Sequence, residues 1–224
     1  MAYDVSELQK RINALVMEDP TAPTAGDSTW NLYLSYLNMA QHDWQESYQW
    51  RTLYKEVNTL TSVSTGNVTL SLPSDFRKVD GFLRICDSTN VVGSYKQIDP
   101  EKKDQYGATD RFFYILGSPI GYNMVVSPGT HGSGASIYYS YWANAASLAS
   151  PTNVSMCPDP MYLVHKSSEY FYKSRDDTRY VEERNEADKI LARMLEFEQA
   201  RGVSYDNTVQ TVEQGRYNFR LGRN

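Results

Sequence analysis

The chain has 224 residues, 41% of them hydrophobic and 22% charged, the balance of an ordinary globular protein with a core of its own. Its formal charge of −5 argues against a protein that coats nucleic acid, which would carry a basic stripe. No apolar run is long enough to cross a bilayer, and residues 1–10 lack the apolar segment of a secretory signal, so a soluble intracellular product is expected.

A first helix is signalled by Asp4 as cap with Glu7 three residues on, and by Val5, Leu8, Ile12, Leu15 and Val16 on one face. The breaker-rich stretch 20–26 ends it. Asp27 or Ser28 opens a longer helix in which Tyr33, Leu37, Ala40, Trp44 and Tyr48 form a wide aromatic stripe.

From about Val57 the period changes to two. Val68, Leu70 and Leu72 alternate with polar residues until Pro73 stops the run. Further strands are expected at 79–86, 91–98, 112–116, 122–126 and 137–142, with a short helix opening at Asp99-Pro100-Glu101. The glycine-rich loop 127–134 reads as the connection of two antiparallel strands.

The unpatterned segment 143–157 leaves the sheet. Asp159-Pro160 then caps and opens a third helix. A fourth turns Tyr180, Ala187, Ile190, Leu191 and Met194 inward and stops at Gly202. The fold class is therefore α+β: a helical bundle of N- and C-terminal helices, an inserted antiparallel β-region of about six strands, and an extended C-terminal tail. The corresponding bounds are 1–56, 57–157, 158–202 and 203–224.

No constellation for chemistry emerges. His42, His131 and His165 form no metal-ligand spacing, so no metal or cofactor is expected. Cys86 and Cys157 read as reduced, buried hydrophobes, with a single disulfide as the alternative. Gly129-Thr130-His131-Gly132-Ser133-Gly134 lacks the Gly-Lys-Ser/Thr ending of a phosphate loop, and Ser133 has no placed base. The pairs Asp176-Asp177 and Glu182-Glu183 suit a helix N-terminus without catalytic work. The 18 tyrosines are either interface residues or filling for half-buried strands.

The tail is distinctive. Tyr217, Phe219 and Leu221 alternate with Arg216, Asn218 and Arg220, the pattern of a strand with one buried face. Its partner is either another molecule or this protein's own sheet. Three arginines and no acid from 216 to 224 favour an acidic receiving surface.

Leu72-Pro73-Ser74-Asp75-Phe76-Arg77-Lys78-Val79, Arg111-Phe112-Phe113-Tyr114-Ile115, Tyr138-Tyr139-Ser140-Tyr141-Trp142, and a Pro-Asp-Pro start to a tyrosine-rich helix followed by a charged one together resemble the head-to-tail connector (adaptor) proteins of tailed bacteriophages. The resemblance implies a non-enzymatic virion protein of the neck, assembled in the host cytoplasm. It implies a ring, commonly of twelve copies, docked on the portal protein and joined to tail or nozzle proteins, with DNA only passing through its channel. The arm would then reach the portal through Tyr205, Arg216, Tyr217, Phe219, Arg220, Leu221 and Arg223. Competing readings are a tail-completion or nozzle subunit, and a glycan-binding or glycan-cleaving module with Trp30, Trp44, Trp50 and Trp142 as stacking platforms.

Overall fold

The computed structural model describes residues 3–60, 67–87, 90–107, 109–118, 121–127 and 136–203. The fold is α+β, with helices at both ends of the chain and a mixed sheet in the middle. It divides into two compact units, one of residues 1–52 with 146–224 and one of residues 53–145. The alternating arm beyond Val203 and the glycine loop at 128–135 lie outside the described residues.

In the helical unit, α1 (Val5–Met17) starts where Asp4 accepts the Glu7 amide at 2.8 Å, satisfying one of the amides a helix start leaves without a partner. Val5, Leu8, Ile12 and Val16 are buried as the spacing predicts, but Leu15 is 37% exposed. The buried arc is turned instead toward Gln9 and Asn13, whose amides reach the Trp30 and Thr21 carbonyls at 3.1 and 2.9 Å. Hydrogen bonding thus makes two polar side chains better core residues than the leucine.

The second helix, α2 (Ser28–Ser47), follows Asp27 and buries Trp30, Tyr33, Leu37, Ala40 and Trp44. Tyr48 falls just past its end. Two side chains of α2 fix the unpatterned segment that follows the sheet. Asn38 both donates to and accepts from the Leu148 backbone at 2.9 Å, and Gln41 donates to the Ala146 carbonyl at 2.8 Å.

At α3 (Met161–Lys173), Asp159 accepts the Met161 amide at 3.1 Å, with Pro160 at the cap position rather than the first helical one. The last helix, α4 (Tyr180–Val203), buries Ala187, Ile190 and Met194 and leaves Leu191 and Tyr180 half-buried. Its last residue, Val203, lies one past Gly202, the expected stop. Helix α3 packs against α1, α2 and α4, and the Tyr172 hydroxyl donates to the Leu15 carbonyl at 2.8 Å.

The second unit holds β1 (Tyr54–Leu60), β2 (Val68–Ser71), β3 (Phe76–Asp87), β4 (Asn90–Gln97), β5 (Phe112–Ser118), β6 (Gly121–Val126) and β7 (Ser136–Ala143). They form one seven-stranded sheet in the order β1-β7-β3-β4-β5-β6-β2. Two expectations are corrected. The sheet is not wholly antiparallel: β4 and β5 pair in parallel through Lys96 with Phe112 and Gln97 with Phe113. The short 3-10 helix Pro100–Gln105, capped by Asp99, carries the chain back to the start of the neighbouring strand, as parallel pairing requires. The loop after Val126 is also no hairpin, because β6 pairs with β5 and β2 while β7 pairs with β1 and β3.

Alternation places Leu72, Phe76, Val79, Leu83, Tyr95, Phe113, Met124, Val126, Ile137, Tyr139 and Tyr141 in one core. Phe112, Tyr114 and Val125 point the other way and pack with Ile98 and Tyr106 in a second, smaller cluster. In β3 the register with β7 slips between Asp80 and Arg84, and Gly81 sits at that bulge with φ +70°.

Candidate functional site

Among the described residues, several groups able to do chemistry are occupied with structure. His165 Nδ1 lies 2.8 Å from Glu183 Oε2, joining α3 to α4. Cys157 is a free, buried thiol, pushed well above its ordinary pKa by burial, and its Sγ donates to the Asp159 carbonyl at 3.3 Å. Among the described residues no group of three or more His, Cys, Asp or Glu could hold a metal ion.

The densest polar cluster joins α2, α3 and α4. Glu169 is 2% exposed and accepts from Lys166 at 2.7 Å and from Arg184 at 3.0 Å. Lys166 also lies 3.9 Å from Asp43, and Asp43 accepts the Tyr170 hydroxyl. Burial, and then that bond to Asp43, push the Tyr170 phenol well above its usual range. Each acid here has a donor and each base an acceptor. Such a cluster fixes helix register and leaves no acid poised for proton transfer.

Three of the four tryptophans cannot serve as stacking platforms. Trp30, Trp44 and Trp50 are buried, and Trp50 stacks on Trp44 at 5.4 Å while donating to its carbonyl at 2.6 Å. A ring enclosed on both faces cannot receive a sugar. Trp142 is half-buried against Tyr54.

What the surface offers is contact area. On α2, Leu32 is 39% and Met39 46% exposed. Ser35, Asn38, Met39, His42 and Asp43 line a shallow hollow of about 650 Å³. This outward stripe was not read from the sequence, although one signal was there: no Lys or Arg occurs between Arg11 and Arg51. The expected arm contacts, Tyr205, Arg216, Tyr217, Phe219, Arg220, Leu221 and Arg223, all lie outside the described residues.

With an α+β fold, polar clusters that tie the helices together, and half-exposed apolar side chains on α2, the family model described as SU10 adaptor protein matches residues 3–216. The chain belongs to the SU10 adaptor protein family. The match covers every described element, so membership applies to both units and not to a single motif. The phage-adaptor resemblance of the sequence motifs is thereby shown, and the family points to a structural component of a bacteriophage. No curated protein matches the chain. No helix among the described residues is long and apolar enough to cross a membrane.

Proposed function

We propose that this adaptor-family chain is a ring-forming, non-enzymatic neck protein that docks on the portal and joins the DNA-filled head to the tail. The family match over residues 3–216 carries the reading. The bounds 1–56 and 158–202 supply one helical bundle per subunit, and that bundle builds the ring, of about twelve copies in this class. The β-rich insertion 57–157 is the docking surface for tail or nozzle proteins, and the arm 203–224 anchors to the portal. Tyr217, Phe219 and Leu221 serve as apolar anchors, while Tyr205, Arg216, Arg220 and Arg223 contribute polar and cationic contacts. Assembly takes place in the host cytoplasm, and DNA passes through the finished channel.

Two measurements test this. Light scattering of the full chain should give one large closed species; a monomer at every concentration and in the presence of portal would remove the ring. Deleting residues 204–224 should abolish portal binding while leaving the far-ultraviolet circular dichroism spectrum of the folded units intact. Unchanged portal binding would remove the arm from the interface.

A further inference from the structure

Resting on the ring reading, we infer that neighbouring copies are joined through their sheets as well as their helices: the β2 edge of one copy pairs with the β1 edge of the next. The sheet ends in these two strands, and among the described residues nothing pairs with the outer side of either. The Leu72 amide donates to the Tyr122 carbonyl at 2.9 Å. By the alternation of an antiparallel ladder, Val68 and Leu70 turn their backbone groups toward β6, and Thr69 and Ser71 turn theirs outward. Such an edge is a template for another extended strand, and natural sheets blunt it with charge, proline or a bulge. Val68-Thr69-Leu70-Ser71 is uncharged, contains no proline and keeps an unbroken register with β6.

Strand direction makes the two edges complementary. From β1 to β2 the sheet takes five antiparallel steps and one parallel step, the β4–β5 pair. The edges β1 and β2 therefore run in opposite directions. In the wholly antiparallel sheet expected from the sequence they would run the same way. A ring of many copies turns each one only slightly against the next. One copy's β2 then meets the next copy's β1 in the antiparallel sense, the more stable pairing.

The side chains favour a second copy over a strand from another protein. Val57 on β1 and Val68 and Leu70 on β2 are half-buried and pack against one core, so all three lie on the same face of the sheet. Pairing edge to edge sets Val68 and Leu70 of one copy beside Val57 of the next and covers both ends of the core at once. A strand donated by a portal or tail protein covers one end and leaves the other open to water. A ring contact uses two different patches on every chain and leaves neither over, as these edges require. Because β2 is only four residues long, the ladder supplements the helical contact and does not replace it.

The test is amide hydrogen exchange on the full chain, as monomer and as assembled ring, with single residues resolved by fragmentation in the mass spectrometer. Assembly should slow the Thr69 and Ser71 amides and the outward amides of β1 at least about ten-fold. Equal exchange in monomer and ring overturns the inference, and so does protection of β2 without β1, the mark of a donated strand. With Tyr217→Ser, Phe219→Ser and Leu221→Ser together, protection should persist. Its loss in a ring that still forms would make the arm the added strand and overturn the inference as well. Thr69→Pro removes one outward donor and should raise the concentration for half-assembly about ten-fold, while Thr69→Val keeps the donor and should assemble like wild type. Two folded variants that assemble alike would remove the backbone pairing; a proline variant that fails to fold leaves the exchange result on the wild-type chain to decide. A chain that stays monomeric even with portal removes the ring reading and this inference with it, whereas a ring with open edges overturns the inference alone.

Discussion

The Asp75 carboxylate accepts the Tyr141 hydroxyl at 2.9 Å, and the same side chain is paired with Lys55. One residue of the turn before β3 therefore clasps both β7 and the edge strand β1, while its carbonyl accepts the Asn144 amide at 2.6 Å. The Leu-Pro-Ser-Asp-Phe step has a physical role here. Pro73 and Phe76 close the turn, Leu72 and Phe76 are buried, and Asp75 ties the strands.

Asp75→Asn should lower stability by about 1–2 kcal/mol in urea denaturation, mostly through the tyrosine and turn contacts, since the half-exposed lysine pair adds little. Burial pushes the Asp75 carboxyl up, but donors from Lys55 and Tyr141 outweigh it and hold the group below the usual carboxylate value. A carboxyl depressed by folding stabilises the fold above its unfolded pKa, and that contribution fades as pH falls through the folded pKa. Wild type should therefore lose stability on acidification below about pH 4, and Asp75→Asn should lose less over the same window.

Glu169→Gln should cost about 2–3 kcal/mol, because Lys166 and Arg184 then face a neutral amide in a buried place. Adding Lys166→Met and Arg184→Met should recover part of the loss. If the triple variant is no more stable than Glu169→Gln alone, the penalty has another origin.

Gly81 and Gly93 make an instructive pair. A Cβ at Gly81 meets nothing within 4 Å, yet its φ is +70°, so Gly81→Ala should cost about 1–2 kcal/mol of backbone strain and Gly81→Asn less. At Gly93 the Cβ would stand 2.6 Å from Arg111 Nη1 and 2.8 Å from its Cζ, so Gly93→Ala would require the guanidinium packed there to move. Thermal melts in which Gly81→Asn is no more stable than Gly81→Ala would contradict the assignment.

Cys157 should resist thiol reagents in the native state, as both its burial and its raised pKa require. Peptide mapping after timed alkylation should show label at Cys157 rising only with denaturant. Prompt native labelling would mean that the core around Met194 opens readily.

Much of this fold is written in local signals. Asp4 at the start of α1 and Asp159 at the start of α3 each rest on interactions within a few residues, and both bonds stand in the structure, although Pro160 falls one position earlier than expected. What the sequence misplaced depends on distant partners. The start of β1 at Tyr54 was missed because Lys55 and Glu56 lie exposed on an edge strand and show little alternation. Strand direction at β4–β5 is set by the intervening crossover, and the pairing of β7 with β1 and β3 joins residues far apart in the chain. Leu15 failed because Gln9 and Asn13 found buried hydrogen-bond partners that no pattern foretells. For the site, the sequence drew attention to the arm, whereas the cation-free run over α2 passed unremarked.

The parallel rungs between β4 and β5 give the sheet a mechanical seam. On one side lie β1, β7, β3 and β4, on the other β5, β6 and β2, each ribbon stitched by long antiparallel ladders. Across the seam the ladder is short, but Tyr95, Phe113 and Met124 share one core. Load pulling the ribbons apart is therefore borne chiefly by packed side chains, which slide and recover, and only slightly by backbone bonds, which snap.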